Sequence, residues 1–173
     1  MSGSVTLILG GAASGKSAYA EKICINAGKE RVYWATSQIF DEEMRSKVDR
    51  HIVQRGPGWT TIEEAWTAES ALNALSADHV CLMDCATMWL TNHLLAEHDL
   101  AEKQADLLRQ IADCAADLVI VSNETGMGIV PENALARRFR EAQGRLNIAL
   151  AEIADRVTLV SAGLPLTLKE ADR

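Results

Sequence analysis

The chain alternates short apolar runs with longer segments in which apolar positions recur at helical spacing. Val5 to Leu9, Val32 to Ala35, Val80 to Asp84, Leu118 to Ser122 and Val157 to Val160 are mostly continuous apolar runs. Strands buried on both faces of a parallel sheet read this way. Between them, amphipathic patterns predict one helix after Gly15 and others over Asp41 to Gln54, Ala65 to Leu75, Ala86 to Leu95, Ala101 to Ala115 and Glu132 to Ala154. The closing LPLTLK predicts a short edge segment, and no repeat, low-complexity tract or long linker interrupts the pattern. The expectation is an α/β fold in which right-handed crossovers build a doubly wound, mostly parallel sheet flanked by helices. Its ligands belong at the strand C-terminal ends.

Composition narrows the class. With 173 residues, 48% hydrophobic and 24% charged, residues 1–173 are expected to form one domain with one core. A formal charge of -7 argues against a nucleic-acid or anionic-membrane surface, which calls for a basic patch, and points to small molecules or proteins as partners. No apolar run approaches the roughly 18 residues of a membrane span. The opening MSGSVTLILGG has neither a cationic region nor a cleavage site, so a cytoplasmic protein is expected. Cys24, Cys81, Cys85 and Cys114 lack C-x-x-C spacing and read as buried free thiols. His93 and His98 stand five apart, one more than the spacing that stacks two metal ligands on a helix, so no zinc site is expected.

Chemistry enters directly after the first strand. Gly10, Gly11, Ala12, Ala13, Ser14, Gly15, Lys16 and Ser17 form G-x-x-x-x-G-K-S between a strand and a helix, a phosphate-binding loop. The fold expectation becomes a P-loop NTPase-like, RecA-like sheet. Backbone N–H groups of Gly11 to Ser17 and the helix N-terminus can surround phosphates, Lys16 can reach the β and γ oxygens, and the Ser17 hydroxyl can ligate Mg2+. The strand VCLMDC ends on Asp84, which reads either as the second magnesium-organising carboxylate or as the cap of the helix begun by DCATMW.

His51 lies among Lys47, Arg50 and Arg55. In a helix over 41–54, Met44, Val48 and Ile52 form the apolar stripe and His51 falls on nearly the same face, pointing inward or to a rim. By itself such a ring is a packed core histidine. Lys47 and Arg55, one turn to either side, make an anion site: they disfavour the imidazolium, keep the ring neutral near pH 7 and attract a triphosphate. A nucleophilic imidazole could attack an α-phosphorus, expel pyrophosphate and hold the nucleotidyl group through an N–P bond. Spacing alone leaves both readings open.

Six stretches together resemble one family over nearly the whole chain. They are LILGGAASGKSAYAE, VYWATSQIFDEEM, the His51 helix ending in RGPGW, DCATMWLTN, VSNETGMGIVPENALARRFREAQGRLN and VSAGLPLTLK. The family is the bifunctional adenosylcobinamide kinase/adenosylcobinamide-phosphate guanylyltransferase, and the third, fifth and sixth stretches are the specific ones. The resemblance implies that Gly10 to Ser17 bind the nucleoside triphosphate, that Ala35, Thr36 and Ser37 line the same pocket, and that His51 is the guanylylated histidine. It also implies that Ile52, Val53, Gln54, Arg55, Glu63 and Asp84 contact nucleotide. Some members carry a second histidine immediately before the nucleophile, where this chain has Arg50.

The implied activity belongs to adenosylcobalamin biosynthesis. The γ-phosphoryl group of ATP or GTP passes to the aminopropanol hydroxyl of adenosylcobinamide, with Mg2+ as cofactor. His51 then takes GMP from GTP, and the cobinamide phosphate accepts it to give adenosylcobinamide-GDP. A homotrimer is implied as well.

Asn123 and Glu124 follow a strand and so face the ligand crevice, toward the corrinoid or a neighbouring subunit. In GMGIVPEN, Gly126 and Gly128 supply backbone freedom, Pro131 suits a helix first turn, and Glu132 or Asn133 can serve the helix start. Arg137, Arg138, Arg140 and Arg145 read as a solvated or intersubunit face, and Trp34, Trp59, Trp66 and Trp89 as core. No residue stands out as general base for the kinase step. A single-function small-molecule kinase with a structural His51, and a non-catalytic nucleotide-binding module, remain the rival readings.

Overall fold

The structure, a computed structural model, describes residues 2–38, 42, 45–46, 52–53 and 55–170. Seven strands run in chain order as β1 (Val5–Gly10), β2 (Glu30–Ala35), β3 (Trp59–Glu63), β4 (His79–Asp84), β5 (Asp117–Asn123), β6 (Arg156–Ser161) and β7 (Leu164–Lys169). They form one sheet in the order β3-β2-β4-β5-β1-β6-β7, parallel except for β7, which pairs antiparallel with β6. The helices are α1 (Lys16–Asn26), α2 (Ala68–Leu72), α3 (Ala86–Leu95), α4 (Leu100–Asp113) and α5 (Ala134–Ile153).

Period-two alternation within the strands divides the core. On one face Leu7, Leu9, Trp34, Met83 and Ile120 pack with Leu72, Trp89, Leu107, Ile111, Leu146 and Leu150, which come from α2 to α5. On the other face Ile8, Tyr33, Leu82, Val119 and Val121 meet Ala20 and Cys24 of α1. Helices therefore cover both faces, as a parallel sheet requires.

The expected α/β architecture is present, with one strand more than the apolar pattern signalled. β3 reads WTTIE, with Trp59 and Ile62 half-buried and the other positions exposed. As the outermost strand it needs no two-faced apolar run, and the loop Gly56-Pro57-Gly58 ahead of it masks its start. Pro131 lies three residues before α5 and so outside its first turn, while Asn133 caps that helix by accepting from the Ala136 N–H. Trp66 is 37% exposed, against the expectation of core packing, and Cys85 is half-buried while the other three thiols are buried.

Of the segment read as the His51 helix, Glu42, Arg45, Ser46, Ile52, Val53 and Arg55 are helical. His51, with Met44, Lys47, Val48, Arg50 and Gln54, lies outside the described residues. Ile52, expected on the inward stripe, is 48% exposed, and Val53 is exposed too. The buried member of the described set is Arg55.

Candidate active site

The strand register sets the site. Ala35 aligns with Asp84, Asp84 with Val121 and Val121 with Ile8, so the residues after β1, β2, β4 and β5 emerge at one edge of the sheet. That edge is where an open α/β sheet binds ligands.

Gly10 to Ser17 form the loop between β1 and α1. Gly15 adopts φ 91° at the N-cap, and a Cβ there would lie 3.1 Å from Gly163 Cα. At Gly10 a Cβ would stand 2.4 Å from Ser14 Oγ and 2.7 Å from the Val160 oxygen. Gly10 is thus demanded by space, and Gly15 by its left-handed backbone conformation, with a tight approach to Gly163 besides. The β6–β7 turn clamps the loop from the far side: the Gly163 N–H donates to the Ser14 oxygen at 2.8 Å. Lys16 Nζ folds back to donate to the Gly11 oxygen at 3.0 Å. No acidic side chain occupies the first turn of α1, so its partial positive end is left for an anion. Ala12 and Ala13 are exposed, Ser17 is half-buried, and Ser14 is buried with its hydroxyl unpartnered among the described residues.

Asp84 ends β4, two strands from β1. It does not cap α3: Cys85 holds that position and contributes no side-chain bond. Instead Asp84 Oδ2 accepts from the Tyr33 hydroxyl at 3.0 Å. Burial foremost, and then the Asp84 charge, push the Tyr33 phenol well above its ordinary range, so it remains a neutral donor. Burial first, then Asp84, also push the Cys85 thiol up to about 12, against the opposing pull of Lys16; it stays protonated and un-nucleophilic.

Arg55 completes this corner. Only 7% exposed, it lays its guanidinium over the Tyr33 ring with Cζ 3.2 Å from the centroid. Its Nε and Nη1 are buried without hydrogen-bond partners among the described residues. Orphaned N–H groups on a buried cation are costly, and a phosphate would satisfy them.

The remaining expected contacts distribute unevenly. Thr36 is fully buried: its hydroxyl donates to the Cys85 oxygen at 2.7 Å and accepts from the Cys85 N–H at 2.9 Å, so this side chain fixes the β4–α3 junction. Ala35 and Ser37 are half-buried on either side of it. Ile52 and Val53 present exposed side chains, and Gln54 lies outside the described residues. Glu63 is exposed at the end of β3, beside Ala35.

Sequence reasoning missed the buried polar frame behind the loop. Ser122 Oγ donates to Asn147 Oδ1 at 2.6 Å, Gln143 Nε2 donates to both of those oxygens, and Asn147 Nδ2 donates to the Asn123 oxygen at 3.0 Å. The Asn123 N–H in turn donates to Thr87 Oγ1, and the Glu124 N–H to the Gly10 oxygen. It also missed two arginines that fasten the β5–α5 loop, in place of the solvated face expected of them. Arg137 donates to the oxygens of Pro131 and Glu132, and Arg140 to those of Gly126 and Gly128. The signal available was polar residues at helix-spaced positions 140, 143 and 147, on the face that α5 turns inward.

Comparison with known proteins places this arrangement. Among solved structures, a protein from Pyrococcus horikoshii OT3 aligns with a TM-score of 0.58 at 12% identity, covering 99% of this chain and 88% of that one. An ATPase of a bacterial type III secretion system aligns with a TM-score of 0.58 at 14% identity, covering 95% of this chain and 58% of that one. These likenesses establish the P-loop NTPase-like fold. In sequence, the chain is 40% identical over 166 residues to the bifunctional adenosylcobalamin biosynthesis protein CobP of Pseudomonas aeruginosa, covering 94% of this chain and 96% of that protein. It is 38% identical over 179 residues to the bifunctional adenosylcobalamin biosynthesis protein CobU of Salmonella typhimurium, at 94% and 98% coverage. A family model described as cobinamide kinase / cobinamide phosphate guanyltransferase matches residues 6–168, and the chain belongs to that family.

Proposed function

We propose that the protein phosphorylates adenosylcobinamide with ATP or GTP and then transfers GMP from GTP, through His51, to the cobinamide phosphate, releasing pyrophosphate. The observation that carries this reading is the presence at one sheet edge of the phosphate-binding loop of Gly10 to Ser17, the unpartnered buried guanidinium of Arg55 and, for a cation between phosphates and protein, the Asp84 carboxylate. In the first step Lys16, the loop N–H groups and the N-terminus of α1 stabilise charge on the transferring γ-phosphoryl group. In the second, the His51 imidazole displaces pyrophosphate from the α-phosphorus, and a phosphate oxygen of the acceptor then displaces the histidine. His51 lies outside the described residues, and its role rests on its cationic neighbours and the family resemblance. Arg55, at the end of the same segment, supports it by lying buried beside Asp84's partner Tyr33.

The donor set suits Mg2+, which prefers oxygen ligands. The Ser17 hydroxyl on the first turn of α1 and the Asp84 carboxylate, already oriented by Tyr33, would hold the ion, and bound there it would neutralise phosphate charge. As part of the same proposal the enzyme is cytoplasmic and a homotrimer. None of the described helices is long and apolar enough to cross a membrane. In support of assembly, β7 exposes Leu164, Leu166 and Leu168, alternate residues of one strand.

Incubation with Mg2+ and GTP labelled at either the α- or the γ-phosphate tests the reading. Acid-labile, base-stable protein label from the α-position alone, absent in His51→Ala, is expected. Formation of GDP from GTP, or of ADP when ATP is supplied, on adding adenosylcobinamide, with no protein label, would leave a single-function kinase. Neither label nor turnover would leave a nucleotide-binding module.

A further inference from the structure

We propose that Glu124 is the general base of the kinase step, the carboxylate that takes the proton from the acceptor hydroxyl as its oxygen attacks the γ-phosphorus. This rests on the phosphoryl transfer proposed above.

Geometry selects Glu124 among the acids at the strand ends. It is the first residue beyond β5, the strand hydrogen-bonded to β1, and its N–H donates to the oxygen of Gly10 at 3.0 Å, where the phosphate loop begins. One strand spacing, roughly 5 Å, separates the two backbones, whereas Glu63 on β3 is four strands out, roughly 19 Å away. Glu64 follows Glu63 directly after β3, on the same outermost strand, and its Oε1 accepts the N–H groups of Trp66 and Thr67. Asp84 accepts from Tyr33 and belongs to the nucleotide side of the site.

Glu124 is also built for the task. It is half-buried, and its Oε1 accepts from the Gly126 N–H, which fixes the carboxylate and leaves Oε2 to receive a proton. Among the described residues it makes no ion pair, so no fixed cation competes for that oxygen. The loop that positions it is held by Arg140 on the oxygens of Gly126 and Gly128. Beside it, Thr125 Oγ1 and Arg140 Nη1 are buried and unpartnered among the described residues. In the step itself the acceptor O–H bond breaks as the O–P bond forms. The proton passes to Glu124 Oε2, and the bond from the γ-phosphorus to the bridging oxygen breaks with its electron pair leaving on the nucleoside diphosphate.

The two half-reactions differ in what they ask of a base. An alcohol must lose a proton to become phosphorylated, whereas the phosphate monoester that accepts GMP is already ionised near pH 7. Glu124→Gln keeps the acceptor oxygen for the Gly126 N–H and removes only the basicity. The expected result is a fall of about 100- to 10 000-fold in kcat for phosphorylation of adenosylcobinamide. GMP transfer to pre-formed adenosylcobinamide phosphate, and Kd for a fluorescent GTP analogue, should change by less than about threefold. The wild-type kcat/KM for phosphorylation should also show an acidic limb that the variant lacks. Equal losses in both half-reactions, or an unchanged phosphorylation rate and pH profile, would overturn the assignment. A wild-type enzyme that phosphorylates nothing sinks the functional reading itself, and this inference with it.

Discussion

Arg55 lies flat on Tyr33, its Cζ 3.2 Å from the ring centroid, and the same Tyr33 donates its hydroxyl to Asp84. The stack gives a buried guanidinium an attractive π face, yet two of its nitrogen positions have no partner among the described residues. Such a cation is retained at a cost in stability and awaits an anion. Replacement by Met should therefore leave thermal stability without nucleotide unchanged or raised. GTP binding should weaken about 10- to 100-fold, the loss of one or two charge-assisted hydrogen bonds. Calorimetric unfolding and titration of the same variant decide the matter: a lower Tm with intact GTP affinity would show Arg55 to be a structural residue.

The phosphate loop tolerates no side chain at its first position. At Gly10 an added methyl would meet Ser14 Oγ at 2.4 Å and the Val160 oxygen at 2.7 Å, the second of which is rigid backbone of β6. Overpacking of this kind costs about 1–3 kcal/mol. Gly10→Ala should lower Tm by about 2–12 °C at this chain length and weaken GTP binding, because Ser14 would have to move. Gly11→Ala is the control, since nothing lies within 4 Å of a Cβ there. Equal stability of the two variants would refute the packing argument.

How much of this was legible in the sequence follows from what each signal depends on. β1 with its loop, and β4 ending on Asp84, announce themselves locally: an apolar run, then glycines with Lys16 and Ser17, or a single acid at a strand end. The buried strands could hardly read otherwise, because both faces are covered. β3 was illegible because an edge strand with half-buried Trp59 and Ile62 resembles a loop in period and polarity. Tyr33 read only as part of an apolar run, since its role depends on Asp84 51 residues away. The clamp of Gly163 on Ser14 and the frame of Ser122, Gln143 and Asn147 are likewise contacts between elements distant in sequence. No local pattern encodes such pairs.

That frame should be essential to the placement of β5. Asn147 accepts from Ser122 and Gln143 and donates to the Asn123 oxygen, all in a buried setting where water cannot replace it. Asn147→Leu keeps the branched outline of the side chain but strands those partners, a cost of about 1–3 kcal/mol. A Tm lower by about 2–12 °C is expected, with faster hydrogen exchange at the Asn123 and Glu124 amides. Unchanged exchange at those two amides would mean that α5 does not hold the end of β5.

The last prediction concerns pH. His93 is 2% exposed on α3, with Nε2 3.0 Å from the Trp66 oxygen and Nδ1 2.8 Å from Nδ1 of His98. A carbonyl can only accept, so the neutral His93 ring carries its hydrogen on Nε2 and accepts at Nδ1 from His98. Protonation would set two N–H groups against each other across 2.8 Å. Burial foremost, with His98 and Lys103 adding to it, lowers the His93 pKa below its ordinary 6.5, against the raising effect of the Trp66 carbonyl. The unfolded chain therefore takes up this proton at a higher pH than the folded one. The stabilisation is fully present above about pH 6.5 and is lost as pH falls through the lower folded value. Unfolding followed from pH 7.5 down to pH 5 should show a declining Tm whose slope is shallower in His93→Gln, a neutral side chain of similar reach. Parallel slopes for the two proteins would place the acid sensitivity in other groups.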